Sequence, residues 1–411
     1  MSITDTDAIV IGGGLHGTST AMHLALKGMR PIVIEKNSVG RHASGVNAGG
    51  VRQLLRDPAE IPLSMAAMDR WLDLESLLGR YAAMCEFVGH IGQVAVAETE
   101  ADMRKLEARA AEIRALGWNH EELVDRQELR RLLPAVADHC IGGLVSRRDG
   151  QATPYLTSQA FRLRAIELGV RFVEGVRVTG LEHGTRWRVL TTDSIFTSEI
   201  LINCGGAWAW QTASLVGETL PRGYFAATMM VTGRMPSFVD PVVIGTGRQL
   251  SFKQTSTGTV VIGGGILGIA DLTKETADPV AERMRVSAET CSILFPIMRR
   301  ATIVRAWAGL EARMPDQIPV IGPSQTAPNM WHAFGFSGHG FQLSTIVGSL
   351  LADLIVDGRS PLPLDAFRPS RFSEAISGVG EKIAQPRCES GRNRDPRAGQ
   401  RNVRISQWKL A

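Results

Sequence analysis

The chain opens on a short apolar run, Ala8 to Ile11, followed by three glycines and then by a stretch from Thr18 to Lys27 that reads as a helix. Ala21, Leu24 and Ala25 share one face of that stretch, and Gly28 marks its stop. A second apolar run comes next in "RPIVIEK" at 30–36. Unbroken apolar runs of this length suit parallel strands covered on both faces, so the pattern predicts a strand–helix–strand crossover. Further along, residues 99–133 are charged with helical spacing, whereas 222–310 alternates strand-like runs with Gly and Pro. The fold class expected is mixed α/β (α+β), with a Rossmann-like domain and a mainly antiparallel second domain.

The first glycine cluster, "AIVIGGGLHG" at 8–17, places Gly12, Gly14 and Gly17 at the spacing of a dinucleotide turn. Glycines allow the tight turn and the close approach of backbone N–H groups to a pyrophosphate at a helix N-terminus. Glu35, at the end of the next strand and about 18 residues beyond Gly17, stands where a ribose-binding acid belongs. A near copy, "VVIGGGILG" at 260–268, has the same spacing through Gly263, Gly265 and Gly268. The segment after it, "IADLTKETADP", is polar, proline-broken and without a second acid-tipped strand, so this copy is expected to be a glycine-rich strand end.

Length and composition narrow the class. A chain of 411 residues suggests about two domains, and 44% apolar with 21% charged residues is ordinary for a globular protein. The net charge of +4 is concentrated in the tail: seven Lys or Arg stand against Glu389 and Asp395 over 386–411, which leaves the body close to neutral. No nucleic-acid surface is expected, and no apolar run approaches the roughly 20 residues needed to span a bilayer. Cys85, Cys140, Cys204, Cys291 and Cys388 are scattered and never form a C-x-x-C pair, which argues against a disulfide framework or a metal site and for a reducing, cytoplasmic setting. The N-terminus is acidic where a secretory signal is basic.

Four ordered segments carry a family resemblance: "RHASGVNAGGVRQ" at 41–53, "VRVTGLE" at 176–182, "LINCGGAWAW" at 201–210 and "GFSGHGFQLS" at 335–344. Together with the first glycine turn they resemble the FAD-dependent D-amino-acid oxidase superfamily, from residue 7 to about 370. Within it, "RAWAGLEARMPDQIPVIG" at 305–322 looks most like the beta subunits of sarcosine-oxidase-like, proline or hydroxyproline dehydrogenase and opine oxidase complexes. The resemblance implies an FAD-binding domain assembled from 1–85, 145–222 and 318–372, a substrate domain from 86–144 and 223–317, and a basic tail, 376–411, that is disordered or docks a partner. It implies FAD contacts from Gly12, Gly14, Leu15, His16, Gly17, Glu35 and Lys36, then from Arg41, His42, Ala43, Ser44, Asn47, Ala48, Gly49 and Gly50. Val176, Cys204, Gly205, Trp208, Gly309, Gly338, His339, Gly340, Phe341, Gln342 and Leu343 complete that set.

The implied reaction is hydride transfer from the carbon beside an amine nitrogen to the flavin, giving an imine that water hydrolyses. The protein must orient the substrate and keep its nitrogen uncharged, so no protein nucleophile is needed. Arg52, with Arg56 near it, is the candidate carboxylate clamp. Glu311 stands where glycine oxidase has an Arg, and Gln342 where monomeric sarcosine oxidase has a Lys, so two usual anion clamps are missing and Glu311 is a candidate for a cationic group on an opine-like substrate. His339 is a candidate base, and His42 is aligned with the histidine that carries flavin covalently in dimethylglycine dehydrogenase, although a non-covalent site is expected. Trp208, Trp210, Trp307 and Trp331 read as core aromatics. An alpha-type electron-transfer subunit and an FMN at a subunit interface are implied partners; "DGQATPYL" at 149–156 has no histidine to attach FMN. The competing readings are a 2-hydroxy acid or alcohol dehydrogenase and a flavoprotein subunit that only relays electrons.

Overall fold

The computed structural model describes residues 3–372, so the 376–411 tail and Cys388 lie outside the described residues. The central element is a six-stranded sheet in the order Val320–Pro323, Met330–Phe334, Ile200–Asn203, Ala8–Ile11, Pro31–Glu35 and Arg171–Glu174. All neighbours run parallel except the edge pair Val320–Pro323 and Met330–Phe334. Every side chain of Ala8–Ile11 and Pro31–Glu35 is buried, which is why these strands are written without polar alternation.

The first helix, Leu15–Leu26, starts three residues earlier than its apolar spacing predicts, because the last glycines of the turn enter it directly. It packs against a long helix, Gly340–Val356, so closely that a Cβ on Gly348 would meet the Ser19 backbone at 2.4 Å. Trp71, from the helix Ile61–Leu72, is buried against the same long helix and donates from Nε1 to the Gln342 carbonyl at 2.8 Å. These contacts fix where the N-terminus of Gly340–Val356 opens.

A second, eight-stranded sheet runs Ile303–Ala312, Tyr224–Thr232, Val260–Gly263, Ser251–Gln254, Val242–Gly245, Gln93–Ala97, Gly142–Ser146 and Glu122–Asp125. Its neighbours are antiparallel except Gln93–Ala97 with Val242–Gly245. The charged stretch 99–133 is not wholly helical: helices Glu100–Ala115 and Arg126–Leu132 flank the edge strand Glu122–Asp125, whose "ELVD" has only Val124 buried. This sheet has its own core, including Val94, Phe252, Leu294 and Phe295. A smaller sheet joins Ile3–Asp5, Ile195–Ser198, Trp187–Thr191 and Val178–His183. No helix among the described residues is long and apolar enough to cross a membrane.

Candidate active site

A cavity of ≈ 800 Å³ lies where the ends of the parallel strands meet the eight-stranded sheet. That volume is in the upper range for ligand clefts. Gly12 and Gly14, with Leu15 and His16 of the first helix, form one part of its wall, and Gly338, His339, Gly340 and Phe341 form another, so two helix N-termini open on the same space. Each brings the partial positive charge of a helix N-terminus. Gly12 has φ +106, and a Cβ there would strike the Cys204 carbonyl oxygen at 2.4 Å. Leu15 N–H donates to Ser44 Oγ at 2.9 Å. The His16 ring lies flat on Phe336, centroids 3.5 Å apart, and burial holds its imidazole neutral, pushed down to about 3.

Glu35 closes the far end of the turn. Its carboxylate accepts from Gly13 N at 2.7 Å and Asn37 N at 2.8 Å; burial nevertheless raises its affinity for a proton above that of an exposed glutamate. Lys36 lies 3.1 Å from the centre of the Trp208 ring, and Val176, whose N–H donates to the Glu35 carbonyl, completes this end of the wall. The loop segment reaches the cavity through Arg41, His42, Ala43, Ser44, Asn47, Ala48, Gly49 and Gly50. His42 packs its ring on Trp208, centroids 4.8 Å apart, with Asn37 Nδ2 at 3.3 Å from its Nε2. Cys204, Gly205 and Trp208 also line the space, so Trp208 is a wall residue rather than core alone.

Four sequence candidates are not on the wall. Gln342 is buried in a reciprocal pair with Ser64, donating from Nε2 to the Ser64 carbonyl at 2.8 Å while its Oε1 accepts from Ser64 Oγ at 3.2 Å. It therefore anchors helix to helix and is not available as a catalytic group. Leu343 belongs to the core beneath the first helix. Gly17 is fixed by packing, since a Cβ there would sit 2.0 Å from the Gly12 carbonyl oxygen. Gly309 faces Val46, whose Cγ2 is 2.2 Å from its hypothetical Cβ.

The remaining catalytic candidates are joined by one hydrogen-bonded chain. Arg52 Nη1 donates to Leu54 O at 2.7 Å; Arg56 donates from Nε to Arg52 O at 3.1 Å and from Nη2 to His339 O at 3.4 Å. His339 Nδ1 lies 2.7 Å from Glu60 Oε2, and the neighbouring Gly338 N–H donates to Glu311 Oε1 at 2.5 Å. Burial and then the Arg56 charge hold the His339 imidazole well below its usual range, at about 4. Burial works to raise Glu60 toward protonation, but the His339 hydrogen bond and the two arginines hold it below the usual carboxylate range. The pair is thus a neutral imidazole donating Nδ1–H to a carboxylate, which leaves Nε2 as the unprotonated nitrogen. Burial pushes Glu311 up to about 7, with the Gly338 N–H opposing it.

Sequence reading passed over the groups that hold this chain in place. Asp149, buried, accepts from Gln53 N, Leu54 N and Ser146 Oγ at 2.8, 3.1 and 2.8 Å. Glu121 accepts from Leu55 N at 2.6 Å and from Arg109 Nε at 2.9 Å. Gln93 reaches the cavity from the eight-stranded sheet with its amide oxygen buried and unpartnered. Lys253, buried behind the loop, donates to Ala152 O at 2.9 Å and Gly49 O at 3.4 Å.

Residues 7–354 match the family model described as FAD dependent oxidoreductase. The chain belongs to that family. It is 25% identical to hydrogen cyanide synthase subunit HcnC of Pseudomonas aeruginosa over 91% of this chain and 98% of that one. It is 27% identical to sarcosine oxidase subunit beta of Rhizobium meliloti over 90% and 89% of the two chains, and it spans 45% of the rat mitochondrial dimethylglycine dehydrogenase at 24% identity. Among solved structures it is similar to L-proline dehydrogenase from P. horikoshii, with TM-score 0.84, 25% identity and coverage of 91% and 99%. The chain is an FAD-dependent oxidoreductase with the fold of these amine and amino acid oxidising enzymes. Its walls suit FAD: the main chain of the Gly12–Gly14 turn, the two helix N-termini for a pyrophosphate and the Glu35 carboxylate for a ribose all face one cavity.

Proposed function

We propose that the protein oxidises a secondary amine or amino acid of the sarcosine, proline, hydroxyproline or opine type. The supporting observation is the chain of hydrogen bonds that brings Arg52, His339 and Glu311 to one cavity wall in a flavoenzyme of this family. FAD, when bound, supplies the acceptor for the hydride that leaves the carbon beside the nitrogen. Gly12, Gly14, Leu15 and Glu35 would hold its dinucleotide part, and the 41–50 loop its ring, without a covalent bond. Arg52 pairs with a substrate carboxylate, one of its guanidinium nitrogens being fixed by Leu54. His339 Nε2, held unprotonated, accepts a hydrogen bond from the N–H of the neutral substrate amine and so orients the lone pair the reaction needs. Glu311, once ionised, meets a second cationic group, which favours opine-like substrates over glycine-sized ones.

The same reading assigns 1–85, 145–222 and 318–372 to the FAD domain and 86–144 with 223–317 to the substrate domain, the strand Gly142–Ser146 bridging the two. The likeness to a sarcosine oxidase beta subunit supports a catalytic subunit within a heteromeric complex, with an alpha-type electron-transfer partner and FMN at their interface. Cys85, Cys140, Cys204 and Cys291 are all buried free thiols, which supports a cytoplasmic location. Anaerobic mixing of the purified chain with amines, opines and 2-hydroxy acids tests the assignment. Bleaching of the flavin by amines or opines is expected, and bleaching by hydroxy acids alone overturns it.

A further inference from the structure

The second glycine cluster has a use of its own. Strand Val260–Gly263 ends in Gly264 and Gly265, with φ of +93 and +91, and a Cβ on Gly264 would lie 2.2 Å from the Ser251 backbone nitrogen. The chain is thereby turned out of the eight-stranded sheet into a two-stranded hairpin, Ile269–Asp271 with Thr276–Asp278. Asp271 organises its tip by accepting from Thr273 N at 2.9 Å and Lys274 N at 3.0 Å.

The tip presents Glu275 to Lys36, Asn37 and Arg177, of which Lys36 and Arg177 line the cavity. Lys36 Nζ lies 2.8 Å from Oε1, Asn37 Nδ2 2.8 Å from Oε2 and Arg177 Nη2 2.5 Å from Oε1. The Lys36 and Glu275 side chains are only 15% and 16% exposed, so water screens the pair weakly. From the same hairpin the Leu272 carbonyl accepts the Trp208 Nε1–H at 3.2 Å, and Trp208 is the ring beneath the Lys36 ammonium. Lys36, Arg177 and Trp208 line the cavity beside Glu35 and Val176, whereas Glu275 does not reach the cavity surface. Burial works against the Glu275 charge, but the bonds from Lys36, Arg177 and Asn37 outweigh it and hold the carboxyl at about 2.

We propose that the 269–278 hairpin is a strap behind the Glu35 end of the cofactor cleft, and that Glu275 is a positioning residue which fixes Lys36 and Arg177 there and so sets how long FAD stays bound. The inference rests on the assignment of this cleft to FAD. It gives the second glycine cluster, whose Gly264 and Gly265 line the same cavity, a use at this point of the chain: it delivers the strap.

The test uses the full chain reconstituted with FAD. Flavin release after dilution is followed by recovery of free-flavin fluorescence for the wild type, Glu275→Gln, Lys36→Met and the double variant, and the melting temperature is measured with and without FAD. Release from Glu275→Gln is expected to be about tenfold faster, equivalent to losing one net charge-pair contribution. The double variant should fall short of the two single effects combined, because the Lys36–Glu275 pair is common to both. The melting temperature should fall further in the FAD-loaded than in the FAD-free protein. Unchanged or slower release, or equal loss of melting temperature in both forms without a change in release, overturns the strap. Lys36→Met keeps the proposal open to refutation if Glu275→Gln fails to fold, since the same acceleration is required of it. A wild type that takes up no FAD refutes the cofactor assignment instead, a result recognisable before any variant is made.

Discussion

His339 Nδ1, on the cavity wall, and Glu60 Oε2, buried behind it, are 2.7 Å apart, although 279 positions separate the two residues in the chain. The carboxylate decides which imidazole nitrogen carries the proton. Glu60→Gln can offer Nδ1 an amide N–H instead of an acceptor, which moves the ring proton to Nε2 and removes the nitrogen that accepts from the substrate. Flavin reduction at neutral pH is expected to slow by about 100-fold, the scale on which a misplaced substrate loses rate. Stopped-flow reduction across pH should show the slowing without a matching rise in substrate KM.

Glu311 gives a pH signature of a different kind. Burial sets its proton loss at about 7, against 4.5 for an ordinary glutamate. A carboxyl with a raised folded-state value stabilises the fold fully below 4.5, and that contribution is lost as pH rises through about 7. Substrate pairing runs the other way, since only the carboxylate attracts a cation. Wild-type KM for a dicationic or opine substrate is expected to fall as pH passes 7, while Glu311→Gln shows a flat profile there. Titration of KM in both proteins from pH 6 to about 8.5 reads the difference.

The legible part of the molecule is local in sequence. The crossover from Ala8 to Glu35 declares itself because apolar run, glycines, helix and acid succeed one another, and the loop from Arg41 to Gly50 is dense enough in small residues to be noticed. The hidden part depends on long-range pairing. Gln342 looks like a site residue because it stands where monomeric sarcosine oxidase has a Lys, yet the helix turns it toward Ser64. Asp149 sits in a segment whose local pattern suggests only a turn, and its job of holding the backbone from Gln53 to Leu54 emerges once strands Gly50–Val51 and Gly150–Gln151 pair. Glu275 reads as one more charge in a polar loop until the hairpin carries it across to Lys36.

Lys253 lies in the same class and its titration is measurable. Burial lowers its ammonium from 10.5 to about 7, with Glu86 opposing weakly, and its hydrogen-bond acceptors are two carbonyls rather than a carboxylate. Between those values the unfolded chain binds a proton that the folded protein does not. Stability must therefore rise with pH in that window, by up to about 1.4 kcal/mol per unit from this one group. Chemical denaturation of the wild type and Lys253→Met at pH 7 and 9 should show the wild type gaining relative to the variant. An unchanged difference would show that the lysine keeps its proton.

Gly12 and Gly28 bracket the first helix, and both have positive φ, +106 and +85. They differ in what a side chain would meet: at Gly12 the Cys204 carbonyl oxygen at 2.4 Å, at Gly28 nothing within 4 Å. Gly28→Ala bears only the conformational cost of a left-handed residue, about 1 kcal/mol, and should keep its flavin. Gly12→Ala adds a backbone clash, and relief of that clash must move either the turn or the strand Ile200–Asn203 that leads to Cys204. Those are the two pieces that shape the nucleotide end of the cavity. Purified Gly12→Ala is expected to carry little flavin, read as the ratio of visible flavin absorbance to protein absorbance, and to lose roughly 3 kcal/mol or more of stability. Equal flavin content in the two variants would mean that the turn at Gly12 does not shape the cofactor site.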